Sequence, residues 1–68
     1  MHPDNDNGLR LVSLNDAARM TSLSRAMLNK YRAQGRFPTA VQLGEKRIGF
    51  VLSEVQGWIA ERIAARAA

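Results

Sequence analysis

The sequence predicts a mainly α fold with a small β-hairpin, in the order helix, tight turn, helix, hairpin, helix. Three observations predict it. Serine-led helix starts at Ser13 and Ser24 stand on either side of a polar break at residues 21–24. Two short apolar alternations flank the polar run Gly44-Glu45-Lys46-Arg47. Val55, Trp58, Ile59 and Ile63 then recur at helical spacing as one apolar stripe.

At 68 residues the chain has room for one small domain. Without cysteine, its apolar residues, 46% of the total, must supply the core. No apolar run approaches the roughly 18 residues that span a bilayer, and the polar N-terminus lacks the basic-then-apolar order of a secretory signal. A cytoplasmic protein with no membrane partner is expected.

Residues 1–8 hold Pro, Gly, Asn and Asp with almost nothing apolar, and are expected to be a disordered lead-in to a folded domain at residues 9–68. Leu9, Leu11 and Val12 offer a short extended entry. Ser13, with Asp16 three residues on, starts a helix running to about Met20, with Leu14, Ala17, Ala18 and Met20 inward. The second helix starts at Ser24, where Leu23 and Leu28 are placed as a hydrophobic staple, and runs over residues 25–34. Gly35 stops it and Pro38 forbids continuation. Residues 40–43 and 48–50 form the hairpin strands. Ser53 with Gln56 reads as a capping box opening the last helix, whose interior Gly57 costs roughly 1 kcal/mol relative to alanine. The arrangement is that of a winged helix-turn-helix.

Charge points to the partner. The net charge is +4, but residues 19–47 alone carry seven Lys or Arg against Glu45, a net +6. Such a block favours a polyanion, because neutralising phosphates releases counterions. On the second helix, at roughly 100° per residue, Met27, Leu28 and Tyr31 fall on one side. Arg25, Ala26, Asn29 and Ala33 fall opposite, with Lys30 and Arg32 just past the two margins. The polar side suits a major groove. Arg25 can fork to guanine, Asn29 can pair with adenine, and Ala26 allows close approach. Ser24 offers its hydroxyl and nearby N–H groups to a phosphate, and Lys30 and Arg32 meet the backbone. Lys46 and Arg47 at the hairpin tip form a wing over residues 44–48 for the backbone or minor groove. A solvated face and a routine polar turn remain the plainer alternatives.

Other chemistry finds little footing. The only histidine, His2, lies in the tail, and no metal-ligand spacing, paired nucleophile and base, or phosphate-cradling loop is present. Neither enzymatic activity nor a cofactor or metal is expected. Tyr31 and Trp58 are assigned to packing rather than to base stacking. Val51 and Leu52 are candidates for extra core or for a surface facing another copy. The rival to DNA binding is a small protein-interaction module whose basic face meets an acidic partner, or whose Val51 and Leu52 meet an integrase or polymerase subunit.

Several stretches carry a family resemblance: Leu23-Ser24-Arg25, Gly35-Arg36-Phe37-Pro38, Val41-Gln42-Leu43-Gly44, Ile48-Gly49-Phe50, and Ser53-Glu54-Val55 with Trp58-Ile59. Together they resemble the AlpA-like phage regulators and the related small excisionases, which share a MerR-like winged fold. The resemblance spans residues 11–63. It implies a bacterial, nucleoid-associated protein of a prophage or integrated element. Such a protein binds double-stranded DNA, with further copies of itself alongside, either to control transcription or to direct an integrase towards excision. It implies DNA contacts by Ser24, Arg25, Ala26, Asn29 and Lys30, and by Lys46 and Arg47 in the wing. The chain departs from the pattern at Ser22, where such turns often have glycine, and at Asn29, where an aromatic is expected.

Overall fold

The computed structural model describes residues 9–66. The predicted tail at residues 1–8 lies outside them. The elements run β1 (Leu11–Val12), α1 (Leu14–Thr21), α2 (Arg25–Ala33), β2 (Val41–Gln42), β3 (Ile48–Val51) and α3 (Leu52–Ala65). Three helices and a small antiparallel sheet give a winged-helix arrangement.

Both early helices start as their sequences dictate. Ser13 is extended, and its hydroxyl accepts the Asp16 N–H at 3.0 Å; Ser24 does the same for Met27 at 3.1 Å. Asp16 sits in the first turn of α1, where the helix dipole favours an anion, and pairs with Arg19 one turn on. The helices also stop alike. After α2, Gly35 turns left-handed at φ +70°, and the N–H groups of Gly35 and Arg36 reach the Arg32 and Tyr31 carbonyls at 3.0 and 2.8 Å. After α1, Ser22 takes φ +62°, and the N–H groups of Ser22 and Leu23 reach Arg19 and Ala18 at 3.4 and 3.2 Å. Both are Schellman closures, which satisfy two carbonyls that the helix itself leaves bare. The first is built on a serine, as the missing glycine required. The Thr21 hydroxyl helps by donating to the Ala17 carbonyl at 2.9 Å.

The sheet is larger than the expected hairpin. The central strand β3 pairs on one side with β2 (Val41 with Gly49, Gln42 with Ile48). On the other side it pairs with β1 (Leu11 with Val51, Val12 with Phe50). The extended entry is therefore a third strand, which gives the marginal hairpin a second neighbour. Gly49 sits where the strands crowd: a β-carbon there would stand 3.1 Å from Leu43 and 3.4 Å from the Val12 carbonyl.

The last helix departs from its predicted start. It begins at Leu52, one residue before Ser53, and its cap position, Val51, makes no side-chain capping bond. Ser53 lies inside the first turn, so the capping box does not form. The reason is that β3 runs straight into α3. The Leu52 N–H is satisfied across the sheet instead, by the Arg10 carbonyl at 2.7 Å.

Ala17, Leu28, Phe37, Phe50 and Val55 are buried, and Leu14, Ala18, Met20, Leu23, Tyr31, Ile48, Trp58 and Ile59 pack around them. Burying such side chains contributes roughly 1.5–3 kcal/mol each for the larger ones. The Phe37 ring meets Phe50 edge-on at 5.3 Å between centroids and Trp58 at 5.1 Å. Trp58 also donates its indole N–H to the Arg36 carbonyl at 2.8 Å, tying α3 to the end of α2. Tyr31 and Trp58 thus pack as predicted, and Val51 and Leu52 are half-buried. Two apolar assignments need correction. Ile63 is 54% exposed, because every described residue from Ala60 on is exposed and α3 has run past the body there. Met27 is 36% exposed, being at the far margin of the apolar arc of α2.

Candidate nucleic-acid interface

The turn between α1 and α2 is only Ser22, Leu23 and Ser24. It is tight because the left-handed Ser22 reverses the chain and Leu23 drops at once into the core. Helix α2 is thereby seated on Leu28, fully buried, and on Tyr31, half-buried among the aromatics. The opposite side is left bare. Ser24, Arg25, Ala26, Asn29, Lys30 and Ala33 are all exposed. The first turn of α2 holds no acid, and Arg25 occupies its first helical position. A cation at that end opposes the helix dipole, so Arg25 does not serve the helix. Lys30 and Arg32 stand in the last turn, where the same dipole favours them.

Arg32 differs from the other bases on α2. It is half-buried, where Arg25 and Lys30 are exposed. Its guanidinium lies 5.6 Å from the centre of the buried Phe50 ring, and it donates to the Asn29 side-chain carbonyl at 2.8 Å. The cause is angular: Arg32 borders the apolar arc beside Leu28, so its stem packs while its head stays near the surface. Beyond it, a groove separates α2 from the chain entering β2. Asn29, Arg32 and Ala33 line one side, and Pro38, Thr39 and Ala40 the other.

Lys46 and Arg47 are exposed on the connection between β2 and β3, as is Glu45. The Leu43 N–H closes the loop onto the Arg47 carbonyl at 2.8 Å, and the Gln42 amide bonds the Gly44 carbonyl within it. The candidate residues thus fall into four groups: the first turn of α2 with its Ser24 cap, the Asn29–Arg32 pair, Lys30 alone on the other margin of α2, and the hairpin tip. Thr39 and the groove were missed by sequence reasoning, which had no period or motif to mark them. Arg36 was missed as well. It is exposed, and its guanidinium stands 5.1 Å from the Tyr31 ring centre.

Among the described residues, no group of three or more His, Cys, Asp or Glu is placed to hold a metal ion. No described helix is long and apolar enough to cross a membrane.

Comparison with known proteins adds two findings. Residues 10–63 match the family described as Prophage CP4-57 regulatory protein (AlpA). The chain is also similar to an uncharacterized protein, ORF88, of Enterobacteria phage P4, at 35% identity over 57 residues. That match covers 84% of this chain and 65% of the phage protein, so the chain spans just under two thirds of that relative's length. No solved structure matches.

Proposed function

Because this chain belongs to the AlpA family of prophage regulatory proteins, we propose that it is a site-specific double-stranded DNA-binding protein. It acts within the bacterial cytoplasm on a prophage or integrated element. The observation that carries the proposal is the division of α2: Leu28 and Tyr31 are held inward while Ser24, Arg25, Ala26, Asn29 and Lys30 are exposed. A helix so seated offers its first turn to base edges in a major groove, which is wide enough to admit it.

Arg25 supplies the fork for guanine, and Ala26 permits close approach. Asn29 lies at the centre of the reading face. Ser24, Lys30 and Arg32 meet the sugar-phosphate strands, and Lys46 and Arg47 extend the contact from the wing. One domain of this size makes few base contacts, so selectivity comes from neighbouring copies on repeated sites. Bound in this way, the protein either controls a promoter or, as a recombination directionality factor, biases an integrase towards excision. No catalytic role is assigned to it.

The test is a gel shift with two duplexes, one selected by the protein from a random pool and one of random sequence. Arg25→Ala is expected to abolish the preference between them. Lys46→Ala is expected to weaken both equally and to reduce the salt slope by about one unit. Absence of any shift at micromolar protein and low salt would reject DNA binding in favour of a protein-interaction module.

A further inference from the structure

The side-chain carbonyl of Asn29 is already engaged, and what it engages is Arg32. The guanidinium of Arg32 is held on two sides, by that carbonyl at 2.8 Å and by the face of Phe50 at 5.6 Å. Arginine normally gives up much rotamer freedom when it binds, and a side chain fixed beforehand gives up less. Arg32 and Asn29 border the groove between α2 and the chain entering β2, whose lining includes Thr39 and the small residues Ala33 and Ala40. With α2 in a major groove and the hairpin on the adjacent minor groove, a sugar-phosphate strand has to pass between the two elements. This groove opens on the flank of α2, beside the chain that leads into the hairpin.

We infer that the groove seats one backbone phosphate of duplex DNA, held by Arg32 and Thr39, and that Asn29 is the positioning residue for Arg32 rather than a reader of adenine. The assignment rests on duplex DNA being the ligand. An asparagine one turn before an arginine suits the role, because side chains three residues apart on a helix meet. A guanidinium with one N–H bonded to Asn29 still has four donors for phosphate oxygens.

The experiment measures binding of the wild type, Asn29→Ala, Arg32→Gln, Arg32→Lys and the Asn29→Ala/Arg32→Gln double variant. The probes are the selected and the random duplex described above, and thermal melts check that each variant is folded. Asn29→Ala and Arg32→Gln are each expected to weaken both probes by about tenfold, as for loss of one charge-assisted hydrogen bond. The double variant is expected to be no worse than Arg32→Gln alone, since Asn29 acts through Arg32. Arg32→Gln should also lower the salt slope by about one, and selection from the random pool with Asn29→Ala should return the wild-type site. Arg32→Lys keeps the charge and should keep the slope, and it serves if Arg32→Gln does not fold.

An Asn29→Ala protein that binds random duplex normally but selects a different base would overturn the inference. So would additive losses in the double variant, or no effect of Asn29→Ala on either probe. A wild-type protein that binds neither duplex would reject DNA binding itself, a separate result.

Discussion

Replacing Arg25 by glutamate is expected to move stability and DNA affinity in opposite directions. Arg25 is exposed at the first position of α2, and no acid in that turn offsets it. A charge at a helix end interacts with the dipole by roughly 0.3–1 kcal/mol. Arg25→Glu removes an unfavourable cation and adds a favourable anion, so the two steps together should stabilise the fold by about 1 kcal/mol. For a domain of this size that raises Tm by roughly 4–8 °C. The same change removes the guanine fork, worth about 1–3 kcal/mol, and sets an anion against the phosphates. Affinity for the selected duplex should therefore fall by at least tenfold. Thermal melts followed by circular dichroism, run at low and high salt, read the first effect; salt should shrink it. Gel shifts read the second. A variant that loses Tm and affinity together would refute the reasoning, because Arg25 would then be holding the fold. A variant with raised Tm and unchanged affinity would remove Arg25 from the interface.

Two further changes test the packing that aims α2. Ser22→Gly relieves a left-handed backbone of φ +62° and should stabilise by up to about 1 kcal/mol, read as a higher urea midpoint at unchanged slope; a lower midpoint would count against the turn described. Trp58→Phe keeps an aromatic ring but leaves the Arg36 carbonyl without the indole N–H, and should cost about 1 kcal/mol in the same assay. No loss would mean that water replaces that bond without penalty.

Much of the fold was legible because it is written in local chemistry. Ser13 and Ser24 begin helices, and Gly35 ends one, through bonds that span three to five residues. The exposed face of α2 was legible because a 3.6-residue period fixes which side chains share a side. What escaped depends on contacts between distant segments. A two-residue strand has no period to detect, so β1 is defined only by its pairing with β3. Ser53 and Gln56 fit a capping pattern, yet α3 begins one residue earlier, where β3 runs straight into it and the Arg10 carbonyl takes the Leu52 N–H. The two margins of α2 looked equivalent in sequence. They differ because Phe50 lies beneath Arg32, while Met27 reaches the surface.

The bond from Leu52 to Arg10 has a consequence for assembly of the molecule. It joins the residue just before β1 to the first residue of α3, so α1, α2, β2 and β3 all lie inside the loop that it closes. Closing a loop of that length is paid in chain entropy before packing returns anything. On the ribosome, α1 and α2 can form as they emerge, but the aim of the second helix becomes fixed only when synthesis has reached the third.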